Sequence, residues 1–273
     1  MFVDTTIQVD RIIQEYDEVK MAAIESLLDQ YDFKAACTYS LVEYKRVVLQ
    51  NLSLCLRYLI EEDSYFLALN RVTNLSPHRP RQVATLVSLM SWVGMKAGEQ
   101  EVEIGGKLEE ILTLKSMSFI RTNIFFLWKK FEKSVDTLLN QTNCARAKEE
   151  PKKDDNGNVI IQIRESLCKT MECNNVNFFT EHLPLVRKVC DEIDRLEQAG
   201  QVVSQELKKL RDELRLAMTD KTRLYDYKNC LNVGDFWIHL ESLAANIKDF
   251  ATTNYKESQH LCPSMGLSMK KPY

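Results

Sequence analysis

Between Leu183 and Leu214 the chain reads LPLVRKVCDEIDRLEQAGQVVSQELKKLRDEL. Val186, Val189, Ile193 and Leu196 recur in alternating steps of three and four, and Val203, Leu207, Leu210 and Leu214 resume the pattern after Gly200. Charged side chains fill most positions between them, which is the spacing of a coiled-coil heptad. Gly200 admits two readings. Glycine commonly ends a helix, and Ser204 with Glu206 behind it is a suitable new start. That predicts a helical hairpin over about 180–199 and 204–230. The heptad phase alone predicts one continuous helix. Stop and start chemistry favours the hairpin.

The rest of the chain is read as helical too. Of 273 residues, only eight are Gly and six are Pro, too few for the many turns of an all-β fold. The expected class is therefore all-α: a multi-helix bundle with a C-terminal helical hairpin or coiled-coil segment. Helices are expected over 5–30 (capped by Thr5 or Thr6), 34–61, 63–74, 81–94, 107–142 and 234–256. Pro80 suits the first turn of the fourth of these. Gly94 and Gly98 are read as punctuation after it. Residues 146–158 carry charge, Pro151 and Gly157 but little to bury, so they read as a linker. The expected organisation is an N-terminal bundle (1–147), a linker (148–158), a C-terminal hairpin bundle (159–257) and a flexible tail (258–273). No fixed-period repeat is visible.

Charge separates few functions. Net charge is −3, with 17 basic and 19 acidic residues in 1–147 and 19 and 20 in the remainder. Nothing here is globally basic in the manner of a phosphate-backbone binder. The first 33 residues are locally acidic. Met1-Phe2-Val3-Asp4 lacks the basic start and apolar run of a signal peptide. No run of 18 apolar residues is present, so no membrane-spanning helix is expected. The expected location is intracellular, cytoplasmic or nuclear. The eight cysteines are read as free thiols, and the sequons at Asn51, Asn74 and Asn140 as chance.

Three stretches carry candidate chemistry. Residues 154–165 resemble an EF-hand calcium loop, with Asp154, Asn156, Asn158 and Glu165 as oxygen ligands. The sixth position of such a loop turns on Gly, and this chain has Val159 there. A charged Asn-Gly turn is the plainer reading. Arg71 and His78 are separated by six residues, a spacing that resembles helical ribonucleases of the HEPN type. The resemblance implies His78 as acid or base and Arg71 on the phosphate. Cys168, Cys173, His182 and Cys190 lack the tight Cys pair of a structural zinc site.

On these grounds a protein-interaction subunit or adaptor is expected, without cofactor and more a binder than an enzyme. Its partner, or a second copy, would dock through Val186, Val189, Ile193, Leu196, Leu207, Leu210 and Leu214. The alternative is a nucleic-acid-acting helical protein. That would be either a HEPN-like ribonuclease or a packaging protein whose groove is lined by Arg79, Arg81, Lys129 and Lys130.

Overall fold

The computed structural model describes residues 1–75, 80–99, 107–149, 152–153, 159–160 and 173–273. The expected all-helical chain is corrected at its second residue. Phe2–Val3 form a strand (β1), followed by α1 (Thr5–Ile13) and α2 (Glu18–Leu28). Strand β2 (Ala35–Cys37) leads into α3 (Thr38–Tyr44), a π-helical turn at Lys45–Leu49, and α4 (Gln50–Glu62). Then come α5 (Tyr65–Thr73), α6 (Pro80–Gly98), α7 (Leu108–Lys133) and strand β3 (Thr137–Leu139). A small antiparallel pair, β4 (Lys152–Lys153) and β5 (Val159–Ile160), precedes α8 (Asn175–Glu181). The remainder is α9 (Leu183–Gln198), α10 (Gln205–Thr219), α11 (Tyr227–Asn232), α12 (Gly234–Ala244), β6 (Asp249–Ala251), α13 (Tyr255–Met265) and β7 (Ser268–Lys270).

Five strands make one parallel sheet in the order β3-β2-β1-β6-β7. Parallel neighbours need crossovers, and here helices supply every one. The order runs outward from β1 in both directions, so β1 and β6 flank the point where the winding reverses. The sheet takes three strands from before the expected boundary near residue 150 and two from after it. The two expected bundles therefore share one sheet. Phe2, Val3, Ala35, Ala36, Cys37, Phe250 and Ala251 are fully buried, and Phe2 stacks on Phe250 with ring centroids 5.2 Å apart.

Several helices expected as single pieces are divided, each by local capping chemistry. Residues 5–30 break at Asp17, whose carboxylate accepts from the Lys20 amide at 3.1 Å and starts α2. Asp4, rather than Thr5 or Thr6, caps α1. In 34–61 the Cys37 sulfur caps α3 after a strand. In 107–142 the Ser134 hydroxyl closes α7 on the Phe131 carbonyl at 2.6 Å, and β3 follows. In 234–256 Asn246 adopts a left-handed conformation (φ 58°) and turns the chain into β6. The expected flexible tail is instead α13 and the edge strand β7, with Leu261, Cys262 and Met265 buried. Gly94 lies inside α6, where a Cβ would strike the Tyr65 ring; the glycine serves close packing there and does not end a helix.

The heptad stretch is two helices. Gly200 has φ 70°, and the Ser204 hydroxyl accepts from the Leu207 amide at 3.2 Å. Arg211 and Arg215 of α10 pair with Asp194 of α9, and Lys208 pairs with Glu197, so the two helices run antiparallel. Val186, Val189, Ile193, Leu196, Leu207, Leu210 and Leu214 are all buried in a core shared with Phe236, Trp237, Leu261 and Cys262. The expected partner face is therefore filled by this chain's own α12 and α13. No described helix is long and apolar enough to cross a membrane.

Candidate active site

In a parallel sheet the crevice at the carboxyl ends of the strands, beside the reversal of winding, is where loops diverge and leave room for a ligand. In this chain that place lies beyond Val3 and Ala251. The residues delivered there are Asp4, Thr5 and Thr6 after β1, and Thr252, Thr253 and Asn254 after β6. They are stapled together across the sheet. One Asp4 carboxylate oxygen, Oδ2, accepts from the Thr6 hydroxyl at 2.7 Å and from the Thr252 hydroxyl at 2.6 Å. The other, Oδ1, accepts from the Thr5 amide at 2.7 Å. The two hydroxyl oxygens in turn accept from the amides of Thr253 (3.1 Å) and Asn254 (2.9 Å). Each donor and acceptor here is satisfied, which fixes Asp4 rigidly at the mouth of the switch point.

Two further carboxyls arrive from helices. Glu43 comes from α3 and Asp235 from the first turn of α12. Both retain some contact with solvent although protein surrounds them closely. Burial raises Glu43 above the usual carboxylate range, and the neighbouring Asp4 adds to the rise while Arg46 opposes it. Burial pushes Asp235 well above that range, reinforced by Glu43, Asp4 and Glu257 and again opposed by Arg46. These mutual effects place Asp4, Glu43, Asp235, Glu257 and Arg46 within electrostatic reach of one another. The raised carboxyls hold protons that a cation bound nearby would displace.

His239 stands one turn after Asp235 on α12. Its Nδ1 donates to the Asp235 carbonyl at 2.6 Å, and its ring stacks on Phe250 with centroids 4.2 Å apart. A carbonyl can only accept, so Nδ1 carries the proton and Nε2 carries a free lone pair. Burial lowers the pKa of His239, which keeps the ring neutral. The side chain is 2% exposed, and Nε2 has no hydrogen-bond partner. The Ser258 hydroxyl on α13 is buried and unpartnered as well.

Helix α13 begins beside the same recess. Its N-cap, Asn254, makes no side-chain capping bond, and the Tyr255 amide turns back to the Thr253 carbonyl at 3.1 Å. Such a helix start favours anions. Cys37 lies at the end of β2, but burial pushes its thiol up, so it is no nucleophile near neutrality. Among the described residues, no three His, Cys, Asp or Glu side chains already stand at ion-ligating spacing.

The structure does not gather the residues singled out from the sequence. Arg71 is exposed, pairs with Glu61 and Glu62 at 2.7 Å, and lies over the Tyr58 ring at 4.4 Å. These contacts are those of a helix surface. His78 and Arg79 lie outside the described residues, as do Asp154, Asn156, Asn158 and Glu165. Arg81 belongs to α6, and its side chain is also outside them. Lys129 and Lys130 sit at the end of α7, by the amino edge of the sheet and away from the acidic recess. The seven described cysteines are free thiols.

Sequence reasoning missed Asp4, Glu43, Asp235 and His239 altogether. A local signal did exist. Phe2-Val3 and Phe250-Ala251 are short apolar runs, each followed at once by hydroxyl-bearing or acidic residues (Asp4-Thr5-Thr6 and Thr252-Thr253-Asn254). No protein-family model, curated protein or solved structure matches the chain.

Proposed function

We propose that the acidic recess at the sheet's carboxyl edge binds a divalent cation and uses it to cleave a phosphodiester, so that the chain is a metal-dependent nuclease. The observation that carries this reading is the placement of Asp4 at the reversal of winding, held by the Thr6 and Thr252 hydroxyls, with Glu43 and Asp235 within its electrostatic reach. Carboxylate oxygens suit hard divalent ions such as Mg²⁺ or Mn²⁺. Like charges hold themselves apart, and an ion between them would draw them inward and displace their protons. A bound ion of this kind would supply charge stabilisation on a phosphoryl oxygen and a more acidic attacking water.

The chain's own groups take the remaining roles. Asp4 is held at a fixed orientation by its hydroxyl and amide donors. Arg46 and the positive end of the α13 dipole attract the phosphate. The neutral His239, with Nε2 unpartnered, can accept a proton or ligate. This assigns enzyme chemistry where the sequence favoured binding, and it uses none of the HEPN-like pair that the sequence offered as the alternative.

The test is cleavage of a labelled single-stranded oligonucleotide by the full chain with Mg²⁺, with Mn²⁺, or with chelator. Cleavage should require the ion, and Asp4→Asn and Asp235→Asn should each lower the rate at least ~100-fold, the effect of losing several kcal/mol of charge stabilisation. Calorimetry should show divalent-ion binding in the native chain and not in Asp235→Asn. Absence of ion binding and of cleavage in the native chain would overturn the reading.

A further inference from the structure

The opposite edge of the sheet has the opposite chemistry. A groove of about 420 Å³ opens there, within the size range of ligand sites. Its location follows from its lining. Lys34 directly precedes β2, Lys133 and Ser134 stand at the end of α7 shortly before β3, and Arg11 lies in the last turn of α1. Helix α1 has nine residues and starts at the acidic recess. Arg11, seven residues after Asp4, puts the groove about 10 Å from it along the helix axis.

Five cations line this groove: Arg11, Lys34, Lys129, Lys130 and Lys133. Arg11 is engaged by Glu25 at 2.9 Å and Lys129 by Glu132 at 3.2 Å. Lys34, Lys130 and Lys133 make no ion pair among the described residues. Asp29 is the remaining acid on the wall. Lysines in the last turn of α7 answer the partial negative charge of a helix end, and that alone accounts for Lys130 or Lys133. It does not account for Lys34 and Arg11, which come from other elements to the same groove.

An aromatic ring completes the arrangement. Phe126 is 60% exposed, an unusual state for a phenylalanine, and lines the groove. Phe126, Lys130 and Lys133 follow i, i+4, i+7 spacing and so share one face of α7. A ring beside a row of unpaired ammonium groups is the layout that holds single strands: bases stack on the ring while phosphates lie along the cations. We propose that this amino-edge groove binds single-stranded nucleic acid, with Phe126 stacking a base and Lys34, Lys130 and Lys133 holding phosphates. The choice of ligand rests on the nuclease reading; the groove's anion-binding chemistry stands without it.

The test is binding of a fluorescein-labelled single-stranded 12-mer by anisotropy, in chelator so that nothing is cut, from 50 to 200 mM salt. The native chain should bind with a clear salt dependence. Lys130→Glu/Lys133→Glu should weaken binding at least ~10-fold and reduce the magnitude of the slope of log K against log salt by about 1.4, two contacts' worth for a single strand. Phe126→Ala should weaken binding ~5-fold or more and leave that slope unchanged. Arg71→Ala, on a helix surface outside the groove, should bind as the native chain does. Thermal melts of the variants, all at exposed positions, check folding. Unchanged binding by the lysine variant overturns the proposal, as does binding of anionic phospholipid vesicles without oligonucleotide binding. Loss of binding in that variant, together with no ion-dependent cleavage by the native chain, upholds the groove and overturns only the nuclease reading.

Discussion

The two edges belong to one five-stranded sheet, yet they treat charge in opposite ways. At the carboxyl edge, Asp4, Glu43 and Asp235 are drawn in among protein atoms and crowd one another. At the amino edge, Lys129, Lys130 and Lys133 stand exposed on the last turns of α7. Buried like charges cost folding free energy unless something compensates them. Exposed lysines cost almost nothing. A chain that carries the first arrangement gives up stability at one edge that it does not give up at the other. The natural reason is chemistry that needs concentrated negative charge. The sharpest ways to test that contrast differ in the size of effect they should produce.

The largest stability effect is expected at the staple that holds the carboxyl edge together. Thr252 is fully buried, and its hydroxyl both donates to Asp4 at 2.6 Å and accepts from the Asn254 amide at 2.9 Å. Thr252→Val keeps the shape and removes both bonds. It leaves a half-buried amide without this partner and a carboxylate with one donor fewer, so it should cost about 1–3 kcal/mol. Lys133→Ala, at the other edge, should stay within ~0.5 kcal/mol. Urea denaturation of the two variants measures the difference. Equal stabilities would break the contrast between a built edge and an open one.

A smaller effect should appear in the pH dependence. Asp235 and Glu43 have folded-state pKa values raised above their unfolded values, first by burial and then by each other and Asp4, against Arg46. In the window between the unfolded and folded values the native state holds more protons than the unfolded chain. Stability from this source is therefore present at low pH and declines as pH rises through that window. Glu192 and Glu197 are lowered by hydrogen bonds from Arg195 and from Lys208 respectively, and they act in the opposite sense. Those two are untouched in Asp235→Asn, so comparison with that variant isolates the recess. The native chain should lose more Tm between about pH 5 and pH 8 than Asp235→Asn does. Added Mg²⁺ should restore the loss at the upper end in the native chain alone. Scanning fluorimetry with and without the ion reads both, and parallel Tm profiles would mean that the recess holds no excess of acid.

How much of this was legible in the residues follows from where the periodicity lies. Helices α9 and α10 announce themselves because each buries one stripe and leaves the rest to water, which writes a spacing of three and four into the chain. Gly200 and Ser204 mark their break for the same local reason. The sheet writes nothing comparable. Its strands are two or three residues long, and the central β1 and β2 are wholly buried, so no alternation develops. Ala35-Ala36-Cys37 passes as the start of a helix, and Ser268-Met269-Lys270 passes as a tail. The recess was hidden a second way. Asp4, Glu43 and Asp235 are far apart in sequence and meet only because parallel strands return every crossover to one edge. The amino-edge groove was half legible. Lys129 and Lys130 stood out as a basic pair, but Lys34 and Arg11 join them only through the register of β2 with β3 and the direction of α1.

The smallest expected effect is also the one that separates two nuclease readings. Arg71 is 40% exposed, holds Glu61 and Glu62 across the end of α4, and rests on Tyr58. The ion pairs raise the Arg71 pKa, and a guanidinium so engaged by two carboxylates is poorly placed to hold a phosphate as well. Exposed pairs of this kind contribute little to stability because water and salt screen them. Arg71→Ala should therefore move Tm by no more than about 2 °C. It should also leave ion-dependent cleavage unchanged, while Asp235→Asn removes it. If Arg71→Ala abolished cleavage with the fold intact, the chemistry would belong to the helical surface beside residue 71. The carboxyl edge would then be a strained but inactive junction, and the contrast between the two edges would have lost its functional meaning.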